Sequence, residues 1–181
     1  MKQLFVIFLL VTLTACSQRY VVSDDPNYPY NLPPVGSTIV LKKTVSVPAG
    51  EVRVFLQGGV LMNKSEFDRY KANCSFELRK LDDIPRDIEP DSFIVTEVQR
   101  TMEQVVKQLG PEQGFVKVGF DIGGKPMVTR GYHLWLGSDR QPDVMRMTCR
   151  GSFDDLNRAD PPSLGEVRYS LGEFAELVMP I

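Results

Sequence analysis

MVTRGYHLWLGS, residues Met127–Ser138, carries a long strand-like pattern in this chain. It is rich in β-branched and aromatic residues, which favours a strand. Alternate side chains of a strand point to opposite faces, so His133 and Trp135 are expected on one face and Tyr132 and Leu134 on the other. The stretch therefore predicts a strand with two different surfaces.

Two neighbouring stretches are expected to pair with this strand. GFVKVGF, residues 114–120, precedes it across the turn-forming DIGGK, residues 121–125, and the pattern predicts a long hairpin. DVMRMTCRG, residues 143–151, follows and is expected to pair next.

Further short strands are indicated earlier in the chain. TIVLKKTVSV, residues 38–47, and EVRVFLQ, residues 51–57, flank a Pro-Ala-Gly turn, so the sequence predicts that they pair as a hairpin. CSFEL, residues 74–78, and SFIVTEVQ, residues 92–99, are two more expected strands.

Residues 97–109 carry two competing patterns. Val98, Met102 and Leu109 fall at helical spacing, whereas the residues just before them have strand propensity. We expect a strand to about Arg100, followed by a loop or helical segment.

The C-terminal region contains the one helix that the sequence indicates clearly. Ser163 and Glu166 fit the S-x-x-E capping box, and Gly172 stands where a helix would end. A final strand, FAELVM, is expected after it. Short strands with one short C-terminal helix predict a mainly β fold, a compact antiparallel β-sandwich or barrel-like domain.

The N-terminus has the order of an export signal. Lys2 is followed by an uncharged apolar run, and small or short residues precede Cys16. The run covers barely a dozen residues, fewer than the roughly 20 that a transmembrane helix needs. Residues 1–15 are therefore expected to be a signal peptide.

Leu13-Thr14-Ala15-Cys16 resembles the lipobox of bacterial lipoproteins at all four positions. The resemblance covers only the first 16 residues or so, and no characterised family is matched by the rest. It implies cleavage before Cys16, lipidation of the Cys16 thiol and an N-terminal acyl chain such as palmitate. Ser17 after the cysteine implies sorting to the outer membrane, with the domain facing the periplasm. A signal peptide that is cut elsewhere is the alternative.

The remaining chain suits one domain behind a spacer. Residues 16–37 contain four prolines and little periodic apolarity, which predicts a Pro-rich tether that packs in part on its own domain. Residues 38–181 are expected to form a single β-rich domain.

Cys74 and Cys149 form an even pair if Cys16 carries lipid. An exported protein meets an oxidising compartment, so a disulfide is the favoured interpretation. Two buried free cysteines remain an alternative, because spacing in sequence does not establish distance. A zinc site is less favoured, since neither cysteine belongs to a CxxC motif.

The charge balance argues against nucleic acid as a partner. Without Lys2 the chain has 20 basic and 23 acidic residues, a net charge of about −3. No basic patch or basic helix is apparent, and phosphate-backbone binding depends on such a patch. The expected partners are the membrane, through the lipid, and a protein of the envelope; the sequence leaves the oligomeric state open.

Two motifs resemble ligand sites but lack essential positions. Residues 119–126 have the G-x-x-x-x-G-K spacing of a P-loop, yet Pro126 replaces the Ser or Thr that binds magnesium, so a hairpin turn is favoured. Asp87, Glu89 and Asp91 have the 1, 3, 5 spacing of an EF-hand, but Ser92 and Val98 replace its Gly and Glu. A weak calcium site is the alternative to a solvated acidic loop, and no metal or cofactor is expected.

His133 is the only histidine of the chain, so it is the only imidazole that could act as a general acid or base. No G-x-S-x-G motif accompanies it, so a structural or surface role is favoured over a catalytic one. We therefore expect a non-enzymatic outer-membrane lipoprotein that acts in the envelope through protein contacts or as a structural component. A ligand-binding lipoprotein, with a pocket that includes Trp135 and Phe55, is the alternative. A hydrolase that depends on His133 is a third hypothesis.

Overall fold

The structure, a computed structural model, describes residues 25–104, 106–107, 117–118 and 127–180. Within these ranges it is mainly β, with a curled antiparallel sheet and one short helix near the C-terminus, which confirms the predicted fold class. The strands are β1 (Thr38–Leu41), β2 (Val45–Val47), β3 (Arg53–Gln57), β4 (Val60–Met62), β5 (Asn73–Leu78), β6 (Arg86–Ile88), β7 (Asp91–Gln104), β8 (Val106–Lys107), β9 (Lys117–Val118), β10 (Met127–Gly137), β11 (Val144–Arg150), β12 (Asp154–Asp155) and β13 (Ala175–Val178). The helix is α1 (Leu164–Leu171).

One nine-stranded sheet organises the domain. Its strands lie in the order β13-β1-β7-β10-β11-β5-β3-β4, and β12 pairs with the end of β10. β2 pairs with β6, and β8 pairs with β9, as separate two-stranded sheets. The pairing of β10 with β11 is as the sequence predicts.

The predicted hairpin of residues 38–47 with 51–57 is wrong. Residues 38–47 form two strands, of which β1 lies between β13 and β7 while β2 pairs with β6. β3 pairs instead with β4 and β5. The physical reason is that distant strands supply both the backbone hydrogen bonds and the apolar neighbours, which the local turn signal does not reveal.

The long hairpin predicted for β10 is also corrected. β10 pairs with β7 on one edge and with β11 on the other, and β9, in the segment expected as its hairpin partner, pairs with β8. Residues 121–125, the expected turn, lie outside the described residues. β7 itself continues as a strand to Gln104, beyond the predicted end near Arg100, because ten of its residues pair with β10.

The apolar core lies between one face of the sheet and α1. Its largest fully buried side chains include Ile39, Leu41, Leu56, Phe76, Phe93, Tyr132, Leu134, Met147 and Leu171. Tyr132 and Leu134 are completely buried, whereas His133 and Trp135 face the other side, which confirms the predicted alternation. The opposite surface of the sheet is therefore separate from the core.

The capping box predicted for α1 is confirmed. The Ser163 hydroxyl accepts from the Glu166 backbone, the Glu166 carboxylate accepts from the Ser163 backbone, and Gly172 ends the helix with a φ of 52°. These contacts satisfy amide groups that a helix end leaves unpaired.

Residues 25–37 lie against the domain. The Tyr30 hydroxyl donates to Asp160 at 2.6 Å, and Gly36 N donates to the carbonyl of Val95. Asn31 and Ser37 are buried. This part of the predicted tether is thus attached to the domain.

No helix within the described residues is long and apolar enough to cross a bilayer.

Candidate functional site

The face of the sheet opposite the core carries polar side chains, most of them buried. We call it the polar face: Arg53, Phe55, Gln57, Asn73, Ser75, Glu77, Glu97, Gln99, Glu103, Thr129, His133, Trp135, Arg146, Thr148 and Arg150. Ser75 is 0%, Thr148 1% and Asn73 2% exposed. On an ordinary solvated sheet face such polar residues would be exposed to water. The polar face differs, because many of its polar side chains are buried.

Strand register aligns a row of charged residues across the polar face. Trp135 on β10 lies opposite Arg146 on β11, Arg146 opposite Glu77 on β5, and Glu77 opposite Arg53 on β3. Directly opposite residues of antiparallel strands have side chains in contact range. The register thus brings together residues that are far apart in sequence.

Glu77 is held between two arginines. Arg146 Nε donates to one carboxylate oxygen at 2.7 Å, and Arg53 Nη2 donates to the other at 3.0 Å. Burial alone would raise the pKa of Glu77, but the hydrogen bonds from Arg146 and Arg53 outweigh it and lower the pKa. Glu77 is therefore ionised and fixes the orientation of both guanidinium groups.

A second ion pair joins β11 to β7. Arg150 donates to Glu103 Oε1 from Nε at 3.1 Å and from Nη2 at 2.7 Å. Burial opposes the ionisation of Glu103, yet the hydrogen bond and charge of Arg150 lower its pKa. The Arg150 side chain is only 8% exposed, so its remaining donor has little access to bulk water.

His133 lies beside these charges and contacts Thr148. Its Nδ1 is 2.7 Å from Thr148 Oγ1. Burial lowers the pKa of His133, and the positive charges of Arg146 and Arg150 lower it further. The imidazole is thus biased toward its neutral form.

Several polar atoms of this face have no hydrogen-bond partner in the described protein. Of seven such buried side-chain atoms among the described residues, five belong to the polar face: Arg53 Nε, Asn73 Oδ1, Ser75 Oγ, Trp135 Nε1 and Arg150 Nη1. A buried polar group without a partner costs about 1–3 kcal/mol. Their concentration on one surface makes the polar face the candidate site among the described residues.

One end of the polar face is covered by residues 63–72. The buried side chain of Gln57 anchors this segment, since its amide donates to the Asp68 carbonyl and accepts from Asp68 N. Phe67 of the segment stacks on Phe55, with ring centroids 4.6 Å apart.

A cavity of about 160 Å³ lies between this segment and the sheet. It is lined by Arg53, Phe55, Lys64, Phe67, Arg69, Asn73, Glu103, Thr129, Arg150, Gly151 and Phe153. A more open space of about 350 Å³ adjoins it, sharing Arg53, Phe55 and Lys64. Trp135 does not line the cavity, so of the two residues expected in a pocket only Phe55 does.

The predicted disulfide of Cys74 and Cys149 is confirmed. The two residues lie directly opposite each other on β5 and β11, with Cα atoms 4.1 Å apart, and both are buried on the core face. Their neighbours on each strand point to the polar face, so the disulfide joins the two strands that carry Glu77, Arg146 and Arg150. Cys16, the expected lipidation site, lies outside the described residues.

The acidic residues with EF-hand spacing do not converge. Glu89 accepts a hydrogen bond from Thr44, whereas Asp91 accepts from Ser138 and Gln141, and Asp87 is exposed on β6. Burial opposes the ionisation of Asp91, but these hydrogen bonds lower its pKa. Within the described ranges no three His, Cys, Asp or Glu residues are placed to hold a metal. The P-loop-like residues 119–126 lie outside those ranges.

Most residues of the polar face were not predicted from the sequence as site residues. Arg53, Asn73, Glu77 and Arg150 alternate with core residues in their strands, and a polar residue in that position is usually solvated. The signal that was available is that polar residues alternate with apolar ones in β3, β5 and β11 alike.

Comparisons with family models, with curated proteins and with solved structures found no match.

Proposed function

We propose that this protein is a lipid-anchored component of the outer membrane whose β domain faces the periplasm and acts by binding, without catalysis. The observation that carries the binding role is the group of five unpaired polar atoms on the polar face. A surface that retains buried donors and acceptors without partners is suited to a partner that supplies them.

The disulfide supports an exported location. Disulfides persist in oxidising compartments such as the periplasm and are rare in the cytosol. Because Cys74 and Cys149 are bonded to each other, Cys16 is the one cysteine of the chain left for another role. Its position in the lipobox-like Leu13-Thr14-Ala15-Cys16 supports lipid attachment.

The surroundings of His133 favour binding over hydrolysis. The hydroxyl within hydrogen-bond reach of the imidazole is that of Thr148, a residue only 1% exposed. A nucleophile must reach a substrate carbonyl, which a buried hydroxyl does not. The pair is therefore better explained as part of the network that joins β10 to β11.

Labelling with palmitate tests the anchor. Wild-type protein is expected to incorporate the label and to fractionate with the outer membrane, whereas Cys16→Ser is expected to lose both properties. The matched control is Cys74→Ser/Cys149→Ser, which removes the other two cysteines and should keep the label. Label retained in Cys16→Ser would refute the anchor.

Site-specific photo-crosslinking in native membranes tests the binding role. A photoreactive residue at Gln99, which is exposed on the polar face, is expected to give a discrete adduct. The same residue at Arg168, exposed on α1 across the sheet, serves as the control and should give none. Equal adducts at both positions, or none at Gln99, would refute the polar face as the binding surface.

A further inference from the structure

The cavity under residues 63–72 has an excess of positive charge. Four of its lining residues are basic, Arg53, Lys64, Arg69 and Arg150, and one is acidic, Glu103. Glu77, which does not line the cavity, forms an ion pair with Arg53 and offsets one positive charge. The positive groups are still in excess. The chain as a whole is acidic, with a formal net charge of −2, so the positive charge of this cluster is opposite in sign to the net charge of the chain. Such a cluster favours a ligand of negative charge.

Three unpaired buried atoms belong to residues that line this cavity. Arg53 Nε and Arg150 Nη1 are donors, while Asn73 Oδ1 is an acceptor. Asn73 is 2% exposed and Arg150 is 7% exposed, so bulk water has little access to them. A matching ligand must accept from two guanidinium groups and donate to one amide oxygen.

We propose that this cavity binds a phosphate group that carries a hydroxyl on or beside it. Its oxygens accept from Arg53 and Arg150, its hydroxyl donates to Asn73, and Lys64 and Arg69 flank the opening. Arginine forks suit phosphate oxygens, and lysine supplies a point charge.

The size of the cavity limits what enters it. At about 160 Å³ it is smaller than the roughly 300–1,000 Å³ pockets that enclose drug-sized ligands. It therefore suits a single phosphate group, and the adjoining space of about 350 Å³ accommodates whatever is attached to that group. Phe55 and Phe67 form an apolar wall beside the charges.

The acceptor atom Asn73 Oδ1 makes the cavity prefer phosphate to other oxyanions. Sulfate and carboxylates carry no proton at neutral pH, so they leave Asn73 Oδ1 without a donor. Hydrogen phosphate keeps a hydroxyl and satisfies it. A site that hydrogen-bonds a ligand hydroxyl discriminates strongly against the analogue that lacks it.

Calorimetric titration with inorganic phosphate tests the proposal, with the mature lipidated chain in phosphatidylcholine vesicles. We expect saturable binding at least about tenfold tighter than that of sulfate, equivalent to about 1.4 kcal/mol. Lys64→Gln/Arg69→Gln is expected to weaken phosphate binding by about tenfold or more. Both residues are exposed, so this variant should fold normally.

The matched control is Lys80→Gln/Arg168→Gln, which removes two exposed positive charges that lie outside the cavity and outside residues 63–72. It should change phosphate affinity by less than about twofold. Equal weakening in both variants, equal affinity for sulfate, or no saturable binding would overturn the proposal.

Two further arms identify the source of the phosphate. If glycerol 3-phosphate competes with inorganic phosphate, a soluble phosphate monoester is supported as the ligand. If vesicles that contain phosphatidic acid abolish the binding of inorganic phosphate, a lipid headgroup is supported instead. The inference deepens the proposed function, on which it rests, by naming the ligand class of the same face. Anchored protein that fails to bind phosphate overturns this inference alone, while loss of the anchor in the palmitate experiment overturns the proposed location alone.

Discussion

The guanidinium of Arg146 lies over the indole ring of Trp135, with Cζ 5.2 Å from the ring centroid. The two residues are directly opposite on β11 and β10, and Arg146 also donates to Glu77 on β5. A cation over an aromatic ring contributes about 0.5–2 kcal/mol, more when it is desolvated. This contact orders three strands of the polar face around one buried carboxylate.

Replacing that carboxylate should destabilise the fold. Glu77→Gln leaves Arg53 and Arg146 without their shared counter-charge, and breaking a buried ion pair costs about 3–5 kcal/mol. We expect a loss in the free energy of unfolding near the lower end of that range, because Arg53 is partly exposed. Urea denaturation measures it.

The control for this prediction is Glu176→Gln, which breaks the exposed pair with Lys42. Solvent-exposed pairs contribute little, so its effect should be much smaller. Equal losses for the two variants would show that Glu77 has no special role.

Removing the disulfide should also lower stability. The bond joins residues separated by 75 positions, for which the chain-entropy model gives about 4 kcal/mol. Cys74→Ala/Cys149→Ala is expected to lose at least about 2 kcal/mol, and the loss should appear in wild-type protein after reduction. Reduced and oxidised proteins with the same urea midpoint would contradict this prediction.

His133 should make stability depend on pH. Its pKa in the folded state lies below the ordinary 6.5, through burial first and the charges of Arg146 and Arg150 second. Below that ordinary value the unfolded chain binds the proton more readily, so stability falls as the pH drops from about 7.5 toward 5.5.

The variant His133→Gln should flatten this part of the pH profile. Glu77 and Glu103 titrate below their ordinary 4.5, so they add little within the window. An unchanged slope of the free energy of unfolding between these pH values would exclude His133 as its source.

Gly131 permits the close approach of β10 to β11. A Cβ there would lie 2.2 Å from the Cys149 carbonyl oxygen, so Gly131→Ala must push the strands apart. We expect a loss of about 1–3 kcal/mol in thermal or urea unfolding.

Gly137→Ala on the same strand is the matched control. Its Cβ would meet the Thr96 methyl group at 3.3 Å, and that side chain has room to adjust, so the effect should be small. Equal tolerance of both substitutions would mean that the spacing of β10 and β11 is not the constraint.

The sequence was sufficient to predict the strands β5, β10 and β11 and the helix, because their signals are local, whereas the short strands β4, β6 and β12 were not predicted. Alternation identified the two faces of β10, and Ser163 with Glu166 identified the start of α1. The partners of β1 and β3 were not predictable, because several strands of the same pattern compete and the choice depends on contacts distant in sequence.

The binding site was less predictable than the fold for the same reason. Arg150 and Asn73 look like solvated residues in isolation, and their burial arises only when β11 pairs with β5 and residues 63–72 cover them. The disulfide was predictable from the number of cysteines and from the expectation of export, without geometry.

The mass of the intact protein purified from native membranes tests the central claim, an exported and lipid-anchored disulfide-bonded domain, most directly. We predict a chain that begins at Cys16 with added acyl mass, and alkylation of Cys74 and Cys149 only after reduction. A chain that retains residues 1–15, or one without lipid on Cys16, or two thiols alkylated before reduction, would contradict it.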